Sequence, residues 1–209
     1  MPKRSYTSTV RAAAARETHA AILRAAEELF VEQGYARATV AAIAERAGVA
    51  VNTVYASVGG KAALVEALAE QSSDDEGIHA ALAAVQESAD GREILSLLAR
   101  STGEITRRYE SFLILLFDNA TADPAVAAVA ERTVERYRGR LLRAAETLVS
   151  LGAVRTDVAR TEQILWFYFG QSAWRTVGRL GWDWADAAGW LADQASAALL
   201  TPTAAPGAP

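Results

Sequence analysis

Apolar residues recur at intervals of three and four along almost the whole chain, and no stretch alternates apolar and polar residues as a strand would. This spacing places the apolar side chains on one face of an α-helix. We therefore predict an all-α protein. The first helix is expected from about Val10 to Gln33, before Gly34, with an apolar stripe formed by Ile22, Ala25, Ala26, Leu29 and Phe30.

Three short helices are predicted next. Thr39 is a favourable N-cap for the first of them, which Gly48 ends. The second covers roughly Val51–Ser57, and two glycines follow it. The third begins near Lys61.

Capping residues mark the later helices. Asp90 followed by Glu93 has the spacing of a capping box. Asp123 precedes a proline, which is typical of the start of a helix, and this long helix is expected to end at Gly152. Asp157 opens another helix.

Aromatic residues are frequent in the helix that Asp157 opens. The helix from Asp157 is expected to continue through Trp174, and a last helix ends near Leu199. The segment 112–117 is apolar on every side, so we expect it to be buried all round.

These elements suggest two domains and a tail. We expect a three-helix domain with a helix-turn-helix over residues 10–60 and a larger helical bundle over residues 61–200. Residues 201–209 are rich in alanine, proline and glycine and are expected to be a disordered tail.

Composition excludes several kinds of site. The 209 residues contain no cysteine and two histidines, so disulfides, thiolate metal sites and multi-histidine metal sites are excluded. We expect no metal and no cofactor. Neither a secretory signal nor an apolar run of membrane-spanning length is present, so we expect a cytoplasmic protein without a membrane partner.

Charge is distributed unevenly. The formal net charge is −4, but residues 1–61 carry eight basic and five acidic side chains. The rest of the chain carries 13 basic and 20 acidic side chains. A basic head on an acidic body indicates that one end of the molecule contacts phosphate.

Residues 39–61 have the pattern of a helix-turn-helix. Gly48 occupies a turn that requires a positive φ, and Val49 and Val54 are expected to fill the angle between the two helices. The second helix would then enter a DNA major groove with its first residues against the bases. Those residues are Val51, Asn52 and Thr53: asparagine pairs with adenine, and valine packs on a thymine methyl group.

Residues 22–68 resemble the DNA-binding domain of the TetR family of bacterial repressors. The matching elements are Ile22-Leu23, Ala25-Ala26, Leu29-Phe30, Gly34-Tyr35, Thr39, Ile43-Ala44, Ala47-Gly48-Val49, Thr53-Val54-Tyr55 and Lys61. The chain departs from the family pattern at Ala50, where a capping serine is usual, and at residues 57–60.

The resemblance implies a homodimer that binds a palindromic operator and is released by a small effector. It implies phosphate contacts from Thr39 and Tyr55, beside the simpler roles of helix cap and packing residue. Lys61 is a cation at a helix N-terminus, which the helix dipole disfavours, and a nearby phosphate explains it.

Aromatic residues suggest an effector pocket in the second domain, although core packing and a subunit interface are alternatives. We expect a small, mostly apolar or aromatic effector and a dimer interface on the helices near 123–151 and 158–181. The candidate ligand-binding residues are Thr102, Phe112, Phe117, Tyr137, Trp166, Phe169 and Trp174, and Arg108 is a candidate partner for a carboxylate on the ligand.

The sequence therefore predicts a DNA-binding transcriptional regulator, a repressor rather than an enzyme. Two alternatives remain open. One is a DNA-binding regulator without a ligand that is controlled by a protein partner. The other is a helical-bundle enzyme in which the helix-turn-helix pattern is coincidental.

Overall fold

A computed structural model describes residues 4–201, with side chains from Val10 onward. Within this range the chain forms α-helices and no β-strand, so the predicted all-α class is confirmed; Val154 and Leu200 form an isolated antiparallel bridge. The helices are α1 (Arg4–Gln33), α2 (Val40–Arg46), α3 (Val51–Ser57), α4 (Lys61–Ser73), α5 (Glu76–Glu87), α6 (Gly91–Arg108), α7 (Glu110–Asn119), α8 (Pro124–Ser150), α9 (Val158–Phe169), α10 (Gln171–Leu180) and α11 (Trp184–Leu199).

The chain divides into two compact units. The first unit contains the described residues up to Ser72 together with Ser111–Thr133. The second contains Ser73–Glu110 and the described residues from Val134 onward. The units do not coincide with the predicted division at residue 61, because α4 and α7 contribute their buried faces to the core of the first unit. The predicted tail begins at Thr201, whose backbone N–H donates to Ala153 O at 2.9 Å, and residues 202–209 lie outside the described residues.

The core of the first unit is built around the predicted apolar stripe of α1. Its large buried side chains come from six helices and include Ile22, Leu29, Phe30, Ile43, Val54, Leu64, Phe112 and Leu116. The stripe prediction is therefore confirmed, and the three short helices pack on it.

The core of the second unit lies between α6, α8, α9, α10 and α11. Its large buried side chains include Ile94, Leu95, Leu98, Leu141, Leu148, Leu165, Phe169, Trp174 and Leu199. Among the described helices, none is both long and apolar enough to cross a membrane.

Local signals set most helix ends as predicted. Asp123 accepts hydrogen bonds from the backbone N–H groups of Ala125 and Val126 at 2.9 and 3.4 Å, which caps α8. Gly152, just after α8, has φ of 65°. This left-handed conformation is one that glycine adopts without a steric penalty.

The predicted capping box is only half formed. Asp90 caps α6 by accepting from Arg92 N at 2.9 Å. The Glu93 carboxylate does not return to the Asp90 backbone; it accepts from the Ser88 hydroxyl at 2.6 Å. The serine two residues before the cap competes successfully for this carboxylate.

Helices α1, α5 and α7 each differ from the prediction. α1 begins at Arg4 rather than near Val10; its alanine-rich residues 10–17 are exposed, so intrinsic propensity rather than packing supports this segment. α5 was not predicted, because Asp75 and Gly77 resemble a turn; Asp75 is in fact its N-cap. α7 is not buried all round, since Ile114 is 45% exposed.

The predicted helix through Trp174 is two helices, α9 and α10, with a break at Gly170. Tyr137 Oη donates to Phe169 O at 2.5 Å and so occupies a carbonyl that a continuous helix would use. A Cβ atom on Gly170 would lie 2.3 Å from Trp166 O. Only glycine fits this backbone arrangement, so α9 ends here and α10 begins at the next residue.

Candidate nucleic-acid interface and effector region

The helix-turn-helix begins with a capped α2 and a glycine turn. Thr39 Oγ1 accepts from Ala42 N at 3.1 Å, which confirms its role as N-cap. Gly48 has φ of 69°, and Val49 N donates to Ala44 O at 2.9 Å. The turn thus closes with backbone hydrogen bonds and leads directly into α3.

Apolar contacts hold α3 against the other helices. Val54 is fully buried, Ala44 is 1% exposed where the helices cross, and Val49 packs on the same cluster. The predicted filling of the interhelical angle is confirmed. Ala50 makes no side-chain cap at the start of α3, as its identity requires.

The opposite face of α3 is open. Val51 and Tyr55 are 40% and 55% exposed, Asn52 is exposed, and Thr53 is half-buried. These side chains offer an amide, two hydroxyl groups and a small apolar group, which is the chemistry that reads base edges and contacts phosphates. The structure therefore brings four of the six predicted DNA-binding residues onto one short helix.

Arg46 locks α2 onto α1. Its guanidinium binds Glu32 at 2.9 Å and Glu28 at 3.2 Å. The three side chains are partly exposed, so the stabilisation is modest. The main consequence of these ion pairs is that the Arg46 guanidinium, although close to α3 in sequence, is already bound to two carboxylates.

Lys61 has protein partners that the sequence did not reveal. Its Nζ donates to Tyr35 O at 2.5 Å and to Ala36 O at 3.2 Å, and it lies 4.3 Å from the centroid of the Tyr35 ring. These contacts explain a cation at the start of α4 without a phosphate. The argument from the helix dipole therefore no longer requires a phosphate, and a contact of Lys61 with DNA stays a prediction.

Tyr35 connects the same corner to α8. Its hydroxyl donates to Asp123 Oδ2 at 2.9 Å. Burial, together with this carboxylate, raises the pKa of Tyr35 to about 12. The hydrogen bond from Tyr35 also lowers the pKa of Asp123. The turn before α2 and the starts of α4 and α8 are thus fixed by one group of side chains.

Ser57, where the chain departs from the family pattern, is turned toward α1. Its hydroxyl lies 3.3 Å from His19 Nδ1, and both residues are half-buried. The end of α3 is tied to α1 rather than presented to solvent.

The predicted ligand-binding residues are divided between the two units. Phe112 is 2% exposed in the core of the first unit, and Phe117 packs on the same cluster. The other five, Thr102, Tyr137, Trp166, Phe169 and Trp174, lie in the second unit. Phe112 and Phe117 thus contribute to the core of the first unit, and a role for them in ligand binding stays a prediction.

The polar groups of the remaining five bond mainly within the unit. Trp174 is fully buried, and its Nε1 donates to Thr102 Oγ1 at 3.1 Å. Thr102 donates in turn to Leu98 O at 2.6 Å. Tyr137 bonds to the Phe169 carbonyl and packs edge-on against Trp166, with ring centroids 5.6 Å apart.

Two further residues shape this region. A Cβ atom on Gly103 would lie 2.7 Å from Trp174 Cη2, so glycine makes room for the indole on α6. Trp184 stacks on Trp174 with centroids 5.7 Å apart and planes at 14°. The sequence signal that could have identified Gly103 was a glycine in the interior of a helix.

An apolar groove of about 610 Å³ lies on the surface of the second unit. It runs along α9, α10 and α11, and Trp166 is the predicted ligand-binding residue that lines it. The side chains beside it are unusually exposed for their size: Phe167 by 73%, Leu180 by 60%, Trp190 by 49% and Trp182 by 42%.

Sequence comparison finds relatives that match part of the chain. Residues 22–68 match the family described as bacterial regulatory proteins, tetR family. The chain is 40% identical over 86 residues to ArpR of Pseudomonas putida, a probable HTH-type transcriptional regulator, which covers 41% of this chain and 40% of ArpR. The chain thus matches well under half the length of this relative.

Solved structures extend the similarity in fold. A protein from Mesorhizobium loti assigned to the TetR family superposes with a TM-score of 0.73 at 20% identity, over 90% of this chain and 98% of that one. The SmeT–triclosan complex superposes with a TM-score of 0.68 at 18% identity, over 92% of this chain and 99% of that one. Residues 22–68 thus match the tetR family of bacterial regulatory proteins in sequence, and the described chain shares the fold of these solved structures.

Proposed function

We propose that the protein is a DNA-binding transcriptional regulator, a cytoplasmic repressor that acts as a homodimer and is released from its operator by a small molecule. The observation that carries the proposal is the exposed face of α3. It presents Val51, Asn52 and Tyr55 on a helix that is held from behind by the buried Val54.

This face suits the major groove of double-stranded DNA. Asn52 supplies a donor and an acceptor for the edge of adenine, and Val51 supplies an apolar contact for thymine. Thr39 and Tyr55 supply hydroxyl groups for phosphates, which position the protein without reading sequence. Two copies of α3 in a dimer would read half-sites about 34 Å apart in a palindrome.

The homodimer is supported by the apolar surface around the groove of the second unit. Phe167, Leu180, Trp182 and Trp190 together expose far more apolar surface than an isolated side chain does. A symmetric pair covers such a patch with itself. We therefore propose that α9, α10 and α11 form the dimer interface. The interface expected from the sequence contained α8 in place of α11.

A small effector is supported by SmeT, whose fold is similar and which was solved with triclosan. We propose that a mostly apolar effector binds in the second unit, close to Tyr137 and Trp166, which are two of the ligand-binding residues predicted from the sequence. The effector must prefer one spacing of the two recognition helices, because a ligand with equal affinity for both shifts nothing.

One observation favours a second candidate, a DNA-binding regulator controlled by a protein partner without a ligand. Trp174 and Thr102 satisfy each other, and Tyr137 bonds to a backbone carbonyl. An effector that used these groups would first have to displace those bonds. The second candidate needs no such rearrangement.

Sequencing of genomic fragments bound by the pure protein tests the proposal. The expected result is an enriched palindrome that binds at least 1000-fold more tightly than a scrambled duplex, as specific sites generally do. Planar apolar compounds are then titrated against the complex, with tryptophan fluorescence and DNA release as the two signals. Binding to all sequences alike would refute a sequence-specific regulator, and fluorescence changes without release would favour the second candidate.

A further inference from the structure

Four arginines lie along one side of α8 at spacings of four, four and three residues, yet the structure treats them differently. Arg132 is paired with Glu66 in the first unit. Arg136 and Arg143 are exposed, and among the residues described neither has an ion-pair partner. Arg140 is half-buried between them at the edge of the buried face of the helix.

Arg140 is bound by one backbone carbonyl. Its Nη2 donates to Ser73 O at 2.6 Å, and within residues 4–201 this is the only hydrogen bond of the guanidinium. An arginine side chain has five N–H donors, so most of them are free to bind another group.

The surroundings of Arg140 are electrostatically unfavourable. Burial lowers the pKa of the Arg140 guanidinium, and the charges of Arg136 and Arg143 lower it further. Asp74 is the carboxylate that opposes this effect, and its Oδ1 lies 3.0 Å from His79 Nε2. A half-buried cation next to two like charges destabilises the ligand-free protein unless an anion joins it.

Two other arginines of the second unit have carboxylate partners. Arg108, which the sequence suggested as the partner for a ligand carboxylate, binds Asp75 at 2.6 Å. Arg138 binds both oxygens of Glu162 at 2.8 Å. Arg140 is therefore a better candidate than Arg108 for binding an anionic group of a ligand.

We propose that Arg140, with Arg136 and Arg143 beside it, binds the carboxylate or phosphate of the small-molecule effector. This inference rests on the proposed function and narrows it, because the effector becomes an amphipathic anion rather than a neutral apolar compound. The planar guanidinium fork suits both groups, since each offers two oxygens to two parallel N–H donors.

Paired probes test the inference without knowledge of the natural effector. Biphenyl-4-carboxylate and decanoate are each compared with the corresponding alcohol, and decyl phosphate is added to distinguish the two anion classes. Calorimetry on the full chain without DNA should give at least tenfold tighter binding of the anions than of the alcohols. Arg140→Gln should remove that preference and leave the affinity for the alcohols unchanged, and Arg140→Lys should retain part of it.

Arg100→Gln is the matched control, because Arg100 is an exposed arginine of the second unit and its loss changes the net charge equally. It should bind every probe as the wild type does. Without a probe, the Tm of Arg140→Gln should not fall below that of the wild type, because glutamine still donates to Ser73 O and the repulsion is gone. A purely structural arginine predicts a lower Tm instead.

Three results would overturn the inference: alcohols that bind as tightly as the anions, no anion binding to the wild type, or an anion preference that survives Arg140→Gln. DNA binding by Arg140→Gln in the absence of a probe is measured separately and should equal that of the wild type. A wild-type protein that binds anions through Arg140 but binds no operator would refute the proposed function alone.

Discussion

The two exposed faces that the proposals use are built from different side chains. On α3, the exposed groups are short and hydrogen-bonding, with Tyr55 at 55% exposure as the only aromatic ring among the predicted DNA-binding residues. On α9, α10 and α11, the exposed groups are large and apolar, with Phe167 exposed by 73% and two tryptophans beside it. The first face has little apolar area to bury, and the second has few hydrogen bonds to offer.

The difference indicates the partner of each face. Base edges and phosphates are recognised by hydrogen bonds and charge, and the helix that presents these groups must be rigid. A second protein subunit is recognised largely by the burial of apolar and aromatic side chains. Under the proposed function, DNA recognition and dimer assembly are therefore assigned to two surfaces of different composition.

The largest expected effect comes from a charge placed in the aromatic face. Phe167→Glu should weaken the dimer by about 3 kcal/mol, or roughly 100-fold, because an unpaired carboxylate would be buried at its centre. Light scattering at micromolar concentration should show a monomer, and operator affinity should fall with it. Val31→Glu is the control: Val31 is 53% exposed in the first unit, and its variant should remain dimeric. A dimeric Phe167→Glu would show that the comparison assigns the wrong surface to assembly.

A smaller effect is expected on the polar face. Asn52→Ala should cost about 2 kcal/mol in binding to the preferred operator and should relax the preference at one base pair. Binding curves against the four possible bases at that position measure this. Gln71→Ala, which removes an exposed amide elsewhere in the first unit, should change nothing. Equal losses on every sequence would assign Asn52 to the phosphates.

The packing behind the aromatic region is tested by two glycines. Gly103→Ala should destabilise the protein by about 1 to 2 kcal/mol, because its Cβ would lie 2.7 Å from the buried Trp174 ring. Gly139→Ala on α8 meets no atom within 4 Å and should stabilise the protein by about 0.5 to 1 kcal/mol. Urea denaturation measures both. An equally stable Gly103→Ala would mean that Trp174 moves freely, and the aromatic region would then be adaptable rather than interlocked.

The smallest expected effect concerns Lys61. Its ammonium group binds two backbone carbonyls in the first unit, and the sequence predicts that it also contacts a DNA phosphate. Lys61→Ala should lower the free energy of unfolding by about 1 kcal/mol, since two carbonyls lose a charged donor. It should also weaken binding to all sequences alike and reduce the slope of log affinity against log salt by about one. Loss of stability with an unchanged salt slope would leave Lys61 a structural role alone.

Features of the first unit that depend on neighbouring residues were predictable. Gly48 and Thr39 set the turn and the cap, and the bounds Val51–Ser57 agree with the prediction. The exposed face of α3 follows from these local rules, because a seven-residue helix with one buried valine has only one side left for solvent. Helix periodicity was likewise sufficient for the all-α class.

Other features depend on contacts between residues far apart in sequence. Tyr137 ends α9 through a hydrogen bond across 32 positions, which no pattern around Gly170 reveals. Lys61 finds carbonyls 25 and 26 positions away. The sequence by itself thus determined most of the helices, the caps at Thr39, Asp90 and Asp123, and the bounds of α3, since these follow from local backbone chemistry. Only the tertiary structure decided that Phe112 lies in the core of the first unit. It also decided that Arg108 is bound by a carboxylate and Arg140 by one carbonyl. These outcomes depend on which distant groups folding brings into contact.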